Sequence, residues 1–352
     1  MTFPRRSLIA GATALASTPL LFSRARAAEG KVVMASWGGG GARMWRETFA
    51  APFQQASGIE TTVVEVPDPS AAVAAAQGRP QHNAIIAASY QAANLARRGL
   101  IEELTEADLP ALQHVPQEYW IRNEAGKILG MPIYFIYYGI AFNEGMARAA
   151  DFASWQGLTD RKWRGQLSIT RPLFLAPYDL TLYAKLNGGN EANIQPGVPM
   201  LEAVARNAIS VYTSMASLQQ QLSRGEVAAA PFYSGQIQML RRAGQSEVNI
   251  MLPREGGLVL SYILSIPKGS QDKAAALQFL NACVSPEKQI SAAQSGYLPL
   301  ATNVTLPDTL ERELGMSMTE VRARNWSPNW YTIAADLEPR IRLAEQIIDR
   351  AR

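Results

Sequence analysis

Apolar positions along this chain follow two alternating periods. Short runs with few polar interruptions, at 31–36, 59–66 and 84–88, predict strands. Between the first two, Trp45, Phe49 and Phe53 recur at every fourth residue and mark one face of a helix that Ser57-Gly58 ends. Strand, helix and strand in that order predict a parallel sheet with helices on its faces. A further helix follows Ser89-Tyr90 and stops at Gly99, so the first part of the chain reads as an open α/β lobe.

Residues 129–143 form a run too long and too rich in β-branched and aromatic residues for one ordinary strand. The run predicts a strand that leaves the first lobe and enters a second. The second lobe then reads as a helix near Ser154, a strand at 166–170 and a helix after Tyr178-Asp179. A helix from about Ser214 to Gly225, a strand at 227–230, a helix at 234–243 and a strand at 248–252 complete it. Residues 258–266 are a second long apolar run that carries the chain back. Helices follow from Asp272 and after Ser285-Pro286-Glu287, the latter stopping at Ser295-Gly296. Leu337, Ile341, Ala344 and Ile348 place a last helix over about 333–352, packed on the outside of a lobe. The expected architecture is α/β, with two discontinuous lobes joined by two crossing hinge strands. Residues 28–139 and 261–303 form one lobe, 140–260 and 304–352 the other, and a cleft lies between them.

Length supports this division, because single cores stop growing near ~250–300 residues and the chain has 352. The formal charge of +3 is carried by the N-terminus: Arg5, Arg6, Arg24 and Arg26 precede any acid, and the remainder holds 29 basic and 30 acidic side chains. Such a balance lacks the basic face that nucleic acid requires. The first 27 residues combine Arg5-Arg6, an apolar run at 8–22 and Ala25-Arg26-Ala27, the pattern of a cleaved export signal. The arginine pair points to the twin-arginine route and hence to the periplasm. Cys283 is the one cysteine, so no disulfide forms within the chain, and its apolar helix predicts a buried structural thiol.

Candidate chemistry is that of binding. The chain carries no G-x-S-x-G elbow, no H-E-x-x-H, no phosphate-binding loop of the nucleotide type and no paired cysteines. Its two histidines, His82 and His114, stand in loop-like settings without a carboxylate pattern. No enzyme activity, cofactor or metal site is expected. Gly38 and Gly39 open a four-glycine run between the first strand and its helix, where backbone amides can meet a ligand's oxygens. Trp37 and Tyr90 fall at the ends of strands, Phe232 and Tyr233 follow the strand at 227–230, and Tyr138 lies on the crossing strand, so aromatics from both lobes stand where open α/β sheets bind ligands. Together they predict an aromatic-lined cleft.

Several segments taken in order carry a family resemblance. They are Ala35-Ser36-Trp37-Gly38-Gly39, Gly99-Leu100-Ile101-Glu102, Gly130-Met131-Pro132 with Gly139-Ile140-Ala141-Phe142-Asn143, Trp163-Arg164-Gly165, Glu255-Gly256-Gly257 and Ser265-Ile266-Pro267-Lys268-Gly269. Over essentially its whole length after the export signal, the chain resembles ABC-importer solute-binding proteins of the spermidine/putrescine-binding type. The resemblance implies the type II two-lobed periplasmic-binding-protein fold, hinge closure on a small-molecule solute, docking on an inner-membrane permease, and a monomer. The match departs at the ligand. Where that family carries Trp-x-Asp after the Gly-Gly turn, this chain has Leu260-Ser261-Tyr262, and Arg171-Pro172 stands where acids are common. An arginine suits a carboxylate or phosphate better than a diamine. The expected ligand is therefore anionic or zwitterionic, held by Arg171 between walls that include Trp37, Tyr90, Tyr138, Tyr233 and Tyr262. One alternative is a polyamine binder that uses Asp179 and tyrosine hydroxyls. Another is an iron carrier or exported enzyme on the same scaffold.

Overall fold

The computed structural model describes residues 30–351, so the export-signal reading of 1–27 lies outside the described residues. Strand β1 (Lys31–Ser36) ends at the glycines and leads into helix α1 (Gly40–Met44), a π-helical segment (Trp45–Ala50) and α2 (Ala51–Ser57), which follow one another without a break. Trp45, Phe49 and Phe53 are buried along this rod, as their spacing predicts. Gly58 closes it in the left-handed conformation at φ +75°, which glycine adopts without cost. Strand β2 (Glu60–Glu65), helix α3 (Pro69–Ala75), strand β3 (Ala84–Ala88) and helix α4 (Ser89–Arg97) follow. Both β2 and β3 pair parallel with β1.

Strand β4 (Met131–Asn143) is buried at all thirteen positions and runs through both sheets, paired on both edges, with its apolar side chains shared between two core clusters. After it come β5 (Leu167–Thr170), α5 (Pro172–Leu175), α6 (Asp179–Leu186), α7 (Val198–Asn207), β6 (Ala208–Tyr212), α8 (Met215–Ser223), β7 (Ala229–Tyr233), α9 (Ser234–Arg242) and β8 (Val248–Met251). The chain returns through β9 (Gly257–Ser265), α10 (Lys273–Ala282), α11 (Pro286–Ala293) and β10 (Leu298–Pro299). It closes with α12 (Asp308–Leu314), α13 (Met318–Arg324), β11 (Asn325–Trp326), α14 (Trp330–Ala335) and α15 (Leu337–Ala351). The first sheet runs β2-β1-β3-β9-β4-β10, and the second runs β8-β4-β7-β5-β6. No described helix is long and apolar enough to cross a membrane.

The crossings differ in detail from the sequence pattern. Residues up to Tyr137 of β4 pair with β9, whereas Tyr138 onward pair with β7 and β8, so the outward crossing falls between the two tyrosines. The return is not made by 258–266. Strand β9 pairs with β3, β4 and β11 of the first lobe, and the crossing is the short link 252–256. Gly256 stands in that link at φ +80°, and a Cβ there would lie 1.5 Å from the Arg324 carbonyl oxygen. The Arg324 guanidinium donates to the carbonyls of Leu252 (2.6 Å) and Pro253 (3.0 Å), tying the link to α13.

Residues 304–352 were expected in the second lobe but divide between the two. Val304, Leu306, Leu310, Met318 and Val321 join the apolar cluster of Val32, Met34 and Phe49 in the first lobe, because apolar side chains of this amphipathic stretch meet the open face of that sheet. The single last helix predicted over 333–352 is two helices: α14 packs on α4, and α15 packs on α5 and α7 of the second lobe. The buried Arg340 pins α15 there by donating to Thr181 Oγ1 (3.1 Å) and to the Glu191 carbonyl. Several elements escaped the sequence pattern, among them α3, α7, the edge strand β6, α12 and α13. Cys283 is fully buried, and burial pushes its thiol up, away from the reactive thiolate.

Candidate functional site

A cavity of about 540 Å³ lies between the lobes. Its lining comes from the C-terminal ends of β1, β3 and β7, the segments that follow β2 and β5, and the middle of β9. These are the positions at which an open α/β sheet offers side chains and helix N-termini to a ligand.

Of the expected site residues, Trp37, Gly38, Tyr90, Arg171, Tyr233 and Tyr262 line this cavity. Four others do not. Gly39 is absent from the lining, although Gly40 and Gly41 are present. Its amide already donates to Glu65 Oε2 at 3.1 Å, and Glu65 is held in turn by Arg46 at 2.6 Å. The glycine run thus accommodates a carboxylate of the protein itself: a Cβ at Gly38 would lie 2.7 Å from Glu65 Oε2.

The other three are displaced by geometry that a linear pattern does not reveal. Phe232 and Tyr233 are successive residues of β7, so the pleat sends them to opposite faces; Phe232 is in the core and only Tyr233 reaches the cavity. Tyr138 is fully buried one layer behind, with its ring 5.5 Å from Tyr233 and 5.7 Å from Tyr178. Its hydroxyl donates to Asp179 Oδ2 at 2.9 Å, while Tyr183 donates to Oδ1 at 3.4 Å. Asp179 therefore supports the wall from inside the second lobe and does not face the cleft. Burial pushes its carboxyl up to about 7, against the pull of those hydroxyl bonds.

The aromatic walls form two groups. On the first lobe, Tyr262 meets Trp37 edge to face (5.8 Å, 85°) and Tyr297 in the same way (5.8 Å, 90°), with Tyr134 5.2 Å away. On the second lobe, Phe174 lies nearly parallel to Tyr178 (6.2 Å, 14°) and Tyr233 meets Tyr178 edge to face, as does Trp330 of α14. Tyr90 of α4 crosses to Tyr178 at 5.8 Å, so the groups touch. Burial holds the phenols of Tyr90, Tyr178, Tyr233 and Tyr262 above their ordinary range, which keeps them neutral hydrogen-bonding groups. The lining contains neither histidine nor cysteine, and the described residues include no group of three or more His, Cys, Asp or Glu placed to hold a metal.

Two ionised side chains line the cavity, Asp68 and Arg171. Arg171 caps α5 through its backbone alone, and its exposed guanidinium lies over the Phe174 ring at 4.8 Å. Among the described residues no carboxylate pairs with it. Asp68, Tyr178, Tyr297 and Trp330 were not anticipated. Asp68-Pro69 after a strand is a helix-start signal that places a carboxylate at a strand end. Tyr297 follows the Ser295-Gly296 helix stop. Both signals were available in the sequence.

Comparisons with known proteins bear on this geometry. The model of a family described as bacterial extracellular solute-binding protein matches residues 48–316. A spermidine/putrescine-binding periplasmic protein of Haemophilus influenzae is 23% identical over 213 residues, a match spanning 57% of this chain and 56% of that protein. Among solved structures, an ABC transporter substrate-binding protein from Bradyrhizobium japonicum superposes with a TM-score of 0.75 at 20% identity, covering 91% of this chain and 99% of that one. The substrate-binding protein of a spermidine/putrescine ABC transporter from Streptococcus pneumoniae, in complex with calcium and HEPES, gives 0.69 at 17% identity, covering 89% and 99%. At these identities the solved structures establish the fold, which is the two-lobed type II α/β arrangement.

Proposed function

This chain belongs to the bacterial extracellular solute-binding proteins, and on that premise we propose that it captures a small carboxylate-bearing solute between its lobes and delivers it to the permease of an ABC importer. The observation that carries the reading is Arg171, a cleft-lining guanidinium stacked on Phe174 with no carboxylate partner among the described residues. A planar fork of donors left free in an aromatic-walled cavity matches the two oxygens of a carboxylate. The cavity is of a size that encloses a small organic molecule. Neutral tyrosine hydroxyls around it orient a ligand without supplying a base or nucleophile, which favours binding over catalysis. The arginine pair and Ala25-Arg26-Ala27 in the sequence support export to the periplasm as part of this reading.

The Haemophilus relative is a polyamine binder by name, but the lining here supports a different solute. Each ammonium group of a polyamine calls for an anionic partner, and the lining holds a single carboxylate, Asp68, together with an arginine. In a thermal-shift screen of small carboxylic acids, amino acids, putrescine and spermidine, a carboxylate-bearing compound should raise the melting temperature by several degrees. That corresponds to roughly 2–4 kcal/mol at a hundredfold to thousandfold excess over Kd. Putrescine and spermidine should leave it unchanged. Stabilisation by the polyamines with none by any carboxylate would remove the reading.

A further inference from the structure

We propose that the solute is a zwitterion whose ammonium group is held by Asp68 on the first lobe while its carboxylate is held by Arg171 on the second. The proposal rests on the carboxylate reading of the cleft and adds the opposite end of the ligand. The two ionised groups in the lining have opposite sign and stand on opposite lobes: Asp68 follows β2, and Arg171 follows β5. Both line the same cavity as Tyr90.

Asp68 has capacity to spare. Its Oδ1 caps α3, accepting from the amides of Ser70 (2.8 Å) and Ala71 (3.2 Å). Its Oδ2 receives only the Gln91 side-chain amide, at the outer limit of 3.5 Å. Among the described residues no lysine or arginine pairs with it, although a carboxylate accepts about four hydrogen bonds. In the same cavity, Ser261 carries a buried hydroxyl that has no protein partner. Its backbone carbonyl is held by Ser89 Oγ at 2.9 Å, which fixes the residue beside the end of β3. A buried, unpaired hydroxyl in a binding cavity is a place where a ligand's polar group is expected. Ammonium brings three donors, and Asp68 Oδ2 and Ser261 Oγ are open acceptors for them. Faces of Trp37 and Tyr262 add the apolar and cation–π contacts that suit the adjoining methylenes.

With one charge on each lobe, a ligand carrying both complementary charges bridges the lobes and favours the closed form, whereas a ligand with one charge engages a single lobe. The test is isothermal titration calorimetry with the unbranched amino acids from glycine to 6-aminohexanoate, set against the monocarboxylate and diamine of matching length. Wild type, Asp68→Asn and Arg171→Ala are compared. Asparagine caps a helix as well as aspartate does, so Asp68→Asn removes the charge and leaves α3 capped. At least one amino acid should bind about tenfold or more tighter than its matched monocarboxylate and diamine, and Asp68→Asn should erase that advantage while leaving monocarboxylate binding within about twofold. If no amino acid outbinds its monocarboxylate, if no member binds, or if Asp68→Asn weakens both classes equally, the zwitterion proposal is overturned. Loss of binding in Arg171→Ala but not in Asp68→Asn would remove this proposal and leave the carboxylate reading standing. Arg171→Ala without effect would remove the carboxylate reading itself.

Discussion

Replacing Arg171 with alanine should weaken solute binding by on the order of 3 kcal/mol, about a hundredfold in Kd, and leave the fold intact. The size of the loss follows from what the residue does. A bidentate, charge-assisted contact in a partly dehydrated cleft is among the strongest single contacts a protein makes, and its loss leaves the ligand carboxylate facing aromatic rings. The intact fold follows from what the residue does not do. Arg171 is exposed, caps α5 with its backbone only, and touches Phe174 as its one charged or aromatic neighbour of note. An exposed side chain with so few partners changes stability by no more than about 0.5 kcal/mol. Arg171→Lys keeps the charge and loses the fork, so its affinity should fall between wild type and alanine. Calorimetry with a stabilising carboxylate from the thermal-shift screen, together with urea unfolding of each variant, checks both halves. Equal affinity in wild type and Arg171→Ala would exclude the guanidinium from the site.

The second large effect is on stability. Asp179 is fully buried, and burial raises its carboxyl from an ordinary 3.8 to about 7. Between those two values the folded state holds a proton that the unfolded state has released. Its contribution is therefore fully present below about pH 4, declines as pH rises towards 7, and is lost above that. A shift of this size corresponds to on the order of 4 kcal/mol. Asp179→Asn keeps the shape and can still accept from Tyr138 and donate to a hydroxyl, but it has no charge to bury. Stability of the variant relative to wild type should therefore grow from near zero at pH 4 to on the order of 2–4 kcal/mol at pH 8. His82, whose partial burial pulls its imidazole below the usual value, titrates nearby with the opposite sign and cancels in the comparison. Urea unfolding of both proteins from pH 4 to pH 8 measures the difference; parallel profiles would show that Asp179 ionises in the folded protein at no cost. Because Asp179 holds Tyr138 behind the rings of Tyr178 and Tyr233, ligand affinity should change far less than stability.

Much of this was legible in the chain, and the failures have common physical causes. Trp45, Phe49 and Phe53 announced their helix because a periodic apolar face survives whatever it packs against. The two-lobed plan was visible in the length of β4, since thirteen residues exceed an ordinary strand and reach across two sheets. What pattern alone could not resolve was direction. Phe232 had the right chemistry at a strand end, but a strand's period of two sends it into the core and its neighbour Tyr233 to the cavity, whereas Tyr137 and Tyr138, in the middle of β4, are both buried in the core. The glycine run had open backbone amides in sequence, and only the approach of Glu65 across 26 positions shows one of them taken. The return crossing lies outside the run that predicted it because β9 is largely apolar, which suits a buried first-lobe strand as well as a hinge. Asp68 before a proline has the local pattern of a helix cap, and nothing local reveals that it also lines a cavity.

The central claim is that this cleft holds a carboxylate-bearing solute through Arg171. The most direct measurement is mass spectrometry of the small molecules released on denaturing protein that was expressed with its own N-terminal segment and purified from the periplasm without added ligand. The account predicts one carboxylate-bearing compound enriched in wild type and absent from Arg171→Ala prepared in parallel. Recovery of a polyamine, or of the same compound at the same level from both proteins, would contradict it.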